Sequence, residues 1–166
     1  MIPKTKSLIT VLAVLGLSAC SNPPFGGGEE YRAAPPVGAG GGLAPNSPGY
    51  FMQTVGDRVL FDVDQHTLNA SAMAVLDGQA QWFLANPDYF ITIEGHADEQ
   101  GTREYNLALG ARRAQAVQNY LLSRGVPVTR MTTLSYGKER PIEICSTESC
   151  YAKNRRAVSV ITGGIS

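Results

Sequence analysis

The sequence predicts an α/β domain, an α+β sandwich in which helices pack on a mixed β-sheet, set behind an export leader and a flexible tether. Three observations predict it. Strand-like and helix-like segments alternate from about residue 58 onward, which implies a sheet with helices packed on it. The stretch ahead of them is crowded with glycine and proline and has no apolar period. Finally, 166 residues of which 43% are hydrophobic and 17% charged suffice for one core and are too few for two ordinary domains.

At the N-terminus, Lys4 and Lys6 precede an apolar run from Leu8 to Leu17. That run is shorter than the roughly 20 residues needed to span a bilayer, so residues 1–19 read as a signal peptide. It ends in Leu17-Ser18-Ala19-Cys20, which resembles the bacterial lipobox. The resemblance implies cleavage before Cys20 and a thioether-linked diacylglycerol plus an N-terminal acyl chain on that cysteine. At about 0.8 kcal/mol per buried methylene, three acyl chains make the anchorage practically permanent. Ser21 stands at the sorting position, without the aspartate that retains many lipoproteins at the inner membrane, so the outer membrane is expected. Residues 20–54 read as the tether, through Gly26-Gly27-Gly28, Pro35-Pro36 and the glycines from Gly38 to Gly42. Such a chain has a root-mean-square reach of about 30 Å.

Residues 55–166 form the folded domain in this reading. Arg58 to Val63 has the β-branched and aromatic content of a strand. Asn69 then caps a helix running to Asn86-Pro87, with Met73, Leu76, Ala80, Phe83 and Leu84 as its buried stripe. A second strand spans Tyr89 to Gly95, and a second helix runs from about Asn106 to Gly125. Met131 to Tyr136 is a third strand, Tyr151 to Arg155 a short helical turn, and Ala157 to Thr162 the last strand.

Charge composition narrows the partners. Fourteen basic residues cancel fourteen acidic ones, so no broad basic field exists to gather nucleic acid, and a charged ligand must be met by a local site. Cys145 and Cys150, in an exported chain, are expected to close a small disulfide loop; half of a zinc site is the competing view. No cofactor is expected beyond the lipid on Cys20. An enzyme would start from His96, Asp98 and Glu99, but His66 and His96 are the only histidines, and neither a His-Glu-x-x-His helix nor a Gly-x-Ser-x-Gly turn is present. His96 is expected to pack and hydrogen-bond beneath the loop that follows its strand.

One residue does not fit its helix. At 100° per residue, Leu109, Ala114, Val117, Tyr120 and Leu121 share one side with Asn106 and Arg113, while Arg112 points nearly the opposite way. A guanidinium in a buried stripe is costly unless paired and hydrogen-bonded. The acid comes either from the chain, as an internal Asp98–Arg113 salt bridge, or from a ligand. In the second case an aspartate and an arginine at the mouth of a cleft suit a ligand bearing both an ammonium and a carboxylate.

Gly95-His96-Ala97-Asp98-Glu99, Gly101, Asn106, Leu109, Arg112-Arg113-Ala114 and Val117 together resemble the signature of OmpA-like peptidoglycan-binding domains. Ser135 to Pro141 and Asn154-Arg155-Arg156-Ala157-Val158 strengthen the likeness and direct it to the peptidoglycan-associated lipoproteins of that family. The resemblance implies that Asp98 takes the ammonium and Arg113 the carboxylate of the diaminopimelate side chain of a peptidoglycan stem peptide. By the same likeness Asn106 and Leu107 shape the cleft, and Phe61, Asp62 and Arg156 line it. It also implies a partner, the periplasmic propeller protein TolB, and through it the Tol complex that draws the outer membrane inward at division. The segment from Tyr136 to Pro141 is the candidate contact. The alternative function is a lipid-anchored protein-interaction module without a peptidoglycan site; the flagellar stator protein carries a similar domain, but the lipobox speaks against it.

Overall fold

The computed structural model describes residues 42–163. The expected signal peptide, Cys20 and the tether up to residue 41 lie outside the described residues. Four helices, α1 (Pro48–Tyr50), α2 (Ala70–Ala85), α3 (Arg103–Ser123) and α4 (Glu148–Asn154), alternate with four strands. The strands β1 (Arg58–Leu60), β2 (Tyr89–His96), β3 (Met131–Gly137) and β4 (Arg156–Gly163) form one sheet in the order β1-β4-β2-β3. β4 is antiparallel to both β1 and β2, whereas β2 and β3, joined by the crossover through α3, are parallel. The mixed sheet with helices on it is thus the one the alternation predicted.

α2 and α3 cover the same face of the sheet. Ile91 and Ile93 of β2, Val59 of β1 and Ala157 of β4 point into the core, where they meet Leu76 and Phe83 of α2 and Ala114, Val117 and Leu121 of α3. Local chemistry sets the helix starts. The Asn69 side chain accepts from the Ala72 amide and the Thr102 side chain from the Tyr105 amide, each satisfying a free donor in the first turn. α3 therefore begins three residues before the expected Asn106. Two glycines bring α3 onto β2: a Cβ on Gly95 would land on the Gly110 carbonyl oxygen, and one on Gly110 would strike Ser135 Oγ. Backbone against backbone at this point delivers the first turns of α3 to the end of β2.

Three expectations need correction. The tether does not extend to residue 54, because α1 continues as a wider helical turn over Phe51–Gly56 and buries Phe51 completely. Its ring lies 4.8 Å from Trp82 and 5.0 Å from Phe83. Trp82 Nε1 donates to the Pro45 carbonyl (2.7 Å) and Tyr89 Oη to that of Asn46 (2.9 Å), so the folded unit starts at about Pro45. Second, Met73 and Leu84 of α2 are exposed; Ala72, Gln79 and Trp82 occupy the buried stripe instead, rotated toward α1. Third, β1 stops at Leu60. The chain then leaves the ladder and turns through Asp64, whose φ of 56° lies in the left-handed region.

Among the described residues, no helix is long and apolar enough to cross a membrane.

Candidate functional site

The periodicity of α3 held for its unusual member: Arg113 is wholly buried, while Arg112 is exposed. Its guanidinium is not paired with Asp98. Nε donates to the Gln65 carbonyl (2.7 Å), Nη1 to that of His96 (2.8 Å) and Nη2 to that of Asp62 (3.1 Å), and the group stacks 5.1 Å from the Phe61 ring centre. Burial pushes its pKa down to about 10 against the opposing pull of Asp98, so it remains charged at neutral pH. Three carbonyls solvate this cation, yet among the described residues it has no salt-bridge partner.

Asp98 instead pairs with Arg155. Its Oδ2 accepts from Arg155 Nη1 at 3.2 Å and its Oδ1 from the Gln100 amide at 3.1 Å. Asp98 is 7% exposed and faces a hollow of about 280 Å³, lined also by Val63, Asp64, Gln100, Gly101, Tyr105, Asn106 and Leu109. Asn106 is buried, with Nδ2 donating to the Gln100 carbonyl (2.8 Å), and Tyr105 Oη bonds the Asp64 carboxylate across the mouth. Two larger hollows, of about 430 Å³ beside Arg58 and Lys153 and about 580 Å³ beside Trp82, lack this chemistry. The cations of the first are already paired, with Asp57 and Glu143.

The structure thus gathers Asp98, Asn106, Phe61 and Arg113 at one end of the sheet but distributes their roles differently from expectation. Phe61 is buried with its ring against the Arg113 guanidinium, and neither residue lines the hollow itself. Asp62 contributes its carbonyl to Arg113 while its side chain is exposed. Leu107, one residue and 100° on from Asn106, is turned out to solvent, and its carbonyl accepts from Ser135 Oγ instead (2.7 Å). Arg156 lies on the sheet face away from α3, donating to the Asn154 and Arg140 carbonyls.

On that same face, His96 is 2% exposed and stacked on Tyr136 at 5.5 Å. Among the described residues neither ring nitrogen has a hydrogen-bond partner, contrary to the expected bond, and Glu94 Oε2 lies 3.7 Å from Nε2. Burial, aided by the guanidinia of Arg156 and Arg140, pushes the imidazole pKa down to about 4. The residue that sequence reasoning missed is Arg155. It adjoins Arg156 at the junction of α4 and β4, where neither helical nor strand periodicity says which arginine turns inward. Cys145 and Cys150 are joined in a disulfide with their Cα atoms 6.0 Å apart.

A match to the OmpA family covers residues 60–155, enclosing both the hollow and the arginines around it. The chain belongs to the OmpA family. Curated relatives are similar over nearly its whole length. The Peptidoglycan-associated lipoprotein of Rhizobium meliloti is 51% identical over 97% of this chain and 88% of its own, and that of Brucella melitensis 49% identical over 97% and 92%. Among solved structures, the peptidoglycan-associated lipoprotein from Burkholderia pseudomallei superposes with a TM-score of 0.66 at 36% identity, over 72% of this chain and all of that one. The C-terminal domain of Helicobacter pylori MotB matches with a TM-score of 0.61 at 22% identity, over 65% and 85%, a likeness of fold alone. For this OmpA-family chain, membership and relatives together bear out the expectation of a binding protein rather than an enzyme.

Proposed function

We propose that this protein is an outer-membrane lipoprotein, anchored through acylated Cys20, that holds peptidoglycan non-covalently by the diaminopimelate of its stem peptide and links membrane to wall. The observation that carries the reading is Arg113, a completely buried cation that has no salt-bridge partner among the described residues and feels the charges of Asp98 and Asp64, which line the hollow. Of the five N–H bonds of a guanidinium, three go to backbone carbonyls, leaving two for a ligand. A carboxylate arriving there supplies the missing counter-charge once the Asp62 to Gln65 turn yields one of its carbonyls. Asp98, on the rim, takes the ammonium. The names of the relatives support the same ligand class.

In this reading the protein works with TolB and the Tol complex. The candidate contact, Tyr136 to Pro141, is held in a defined shape: the Arg140 guanidinium lies 3.7 Å from the Tyr136 ring centre, and Lys138 Nζ reaches the Gly101 carbonyl at 2.7 Å.

Co-sedimentation with purified sacculi tests the proposal, using the mature chain with Cys20→Ser so that no lipid pellets. Wild type should pellet and free diaminopimelate should release it, whereas Asp98→Asn should stay in the supernatant while still unfolding in a single cooperative transition. Equal pelleting of Asp98→Asn, or indifference to diaminopimelate, refutes it.

A further inference from the structure

We propose that Arg155 is the positioning residue of the Asp98 site and that the Cys145–Cys150 disulfide keeps it in place, so that reducing this bond weakens ligand binding without unfolding the domain. The proposal rests on the reading of Asp98 as the group that meets the ligand.

Arg155 ties together three pieces of chain that are far apart in sequence. Nε donates to the Phe61 carbonyl at the end of β1 (3.2 Å), Nη1 to Asp98 beyond the end of β2 (3.2 Å), and Nη2 to Glu148 in the first turn of α4. Its backbone is fixed as well: the amide donates to the Tyr151 carbonyl (3.0 Å) and the carbonyl accepts from the Phe61 amide (2.9 Å). With Oδ1 held by Gln100 and Oδ2 by Arg155, the Asp98 carboxylate has one orientation.

The charges are balanced to leave Asp98 available. Arg155 shares its single positive charge between two carboxylates, so part of the charge of Asp98 is left for an incoming ammonium. Without Glu148 the Arg155 guanidinium loses one of its three anchors and swings, and the Asp98 carboxylate it holds turns away from the Gln100 amide.

Glu148 does not stay there by its own contacts. Its side chain is 67% exposed, and an exposed carboxylate gains little from an ion pair. α4 has only seven residues, too few for a helix to persist alone, and its N-cap residue Thr147 makes no side-chain capping bond. The disulfide supplies what the cap does not. It closes a ring from Cys145 to Cys150 that contains Glu148, while Cys150 is buried against the domain. Ser146, in the same ring, also reaches Glu99, the neighbour of Asp98, at 3.4 Å. Opening the ring frees the first turn of α4, and Glu148 leaves Arg155.

In the reductive step, a dithiol reductant gives up two electrons and two protons; Cys145 and Cys150 become thiols and the reductant closes to its own disulfide. The test uses the mature chain with Cys20→Ser, which leaves this pair as its only cysteines. Oxidised protein, reduced protein and the Cys145→Ser/Cys150→Ser variant are compared for retention on sacculi and for hydrogen exchange of the Gln100 amide by NMR. Reduction and the double substitution should each weaken retention about tenfold, speed Gln100 exchange, and leave a single cooperative unfolding transition. Arg155→Lys, which keeps the charge but lacks the three-way fork, should match them. Unchanged Gln100 exchange overturns the proposal whether or not sacculi bind the protein. Faster exchange with undiminished retention overturns the link to binding. Failure of the oxidised protein to pellet at all refutes the ligand reading, while Gln100 exchange still reports on the staple.

Discussion

At the C-terminal end of β2 the two faces of the sheet each bury a cationic or ionisable side chain, and they treat it in opposite ways. On the helix face, Arg113 is given three carbonyls and an aromatic floor, and it keeps its charge. On the other face, His96 is packed against Tyr136 with both ring nitrogens unpartnered among the described residues and two guanidinia nearby, and it is held neutral. Burial is nearly equal, so the difference lies in what the backbone offers. A loop that turns its carbonyls inward can hold a charge in the core, whereas a face that supplies rings and like charges expels it.

The sharpest way to break this comparison is Arg113→Leu. Three carbonyls lose their donor at once, and at about 1–3 kcal/mol for each buried unsatisfied group the loss should reach about 5 kcal/mol in urea unfolding. A purely apolar site gives the reference value. Phe51→Ala should cost about 3–4 kcal/mol, with red-shifted fluorescence from Trp82 as its packing partner goes. Retained stability would mean that the segment ahead of residue 55 belongs to the tether after all.

For His96 the prediction concerns pH. The unfolded chain protonates it near 6.5 and the folded domain at about 4, so between these values the unfolded state binds the extra proton. Stability from the neutral imidazole is therefore complete above pH 6.5 and is lost as the pH falls to about 4, a change of roughly 3 kcal/mol. His96→Phe should flatten that slope in chemical denaturation at stepped pH; an unaltered slope would place the titration elsewhere. The smallest effect belongs at neutral pH, where the same substitution removes the unpartnered nitrogens and should stabilise by about 1 kcal/mol, read from the same unfolding curves.

How far the sequence disclosed this arrangement depended on whether a period ran through the residue. Arg113 could be placed in the core because Leu109, Val117 and Leu121 define the buried side of α3 around it. Asp98 could be placed at the sheet end because it follows a clear strand. Phe51 could not be found, since a lone aromatic after a glycine-rich stretch has no neighbours at helical spacing to mark it as core. The exchange of roles between Arg155 and Arg156 was equally hidden, because one ends a helix and the next begins a strand. That Asp98 would choose Arg155 over Arg113 depends on the fold of the Cys145–Cys150 loop, which no local pattern reveals.

The chain enters the domain where Trp82 and Tyr89 pin Pro45 and Asn46, at the start of β2, while Asp98 stands just beyond its end. Tension between the incoming chain and anything gripped at Asp98 therefore runs lengthwise along β2, the strand that is bonded on both sides, to β3 and β4. Pulled in that direction, the load runs through the covalent backbone of β2 while the ladders on its two sides hold the strand in place. In the proposed role, a pull between membrane and wall would thus be taken up by a strand that has a neighbour on each side.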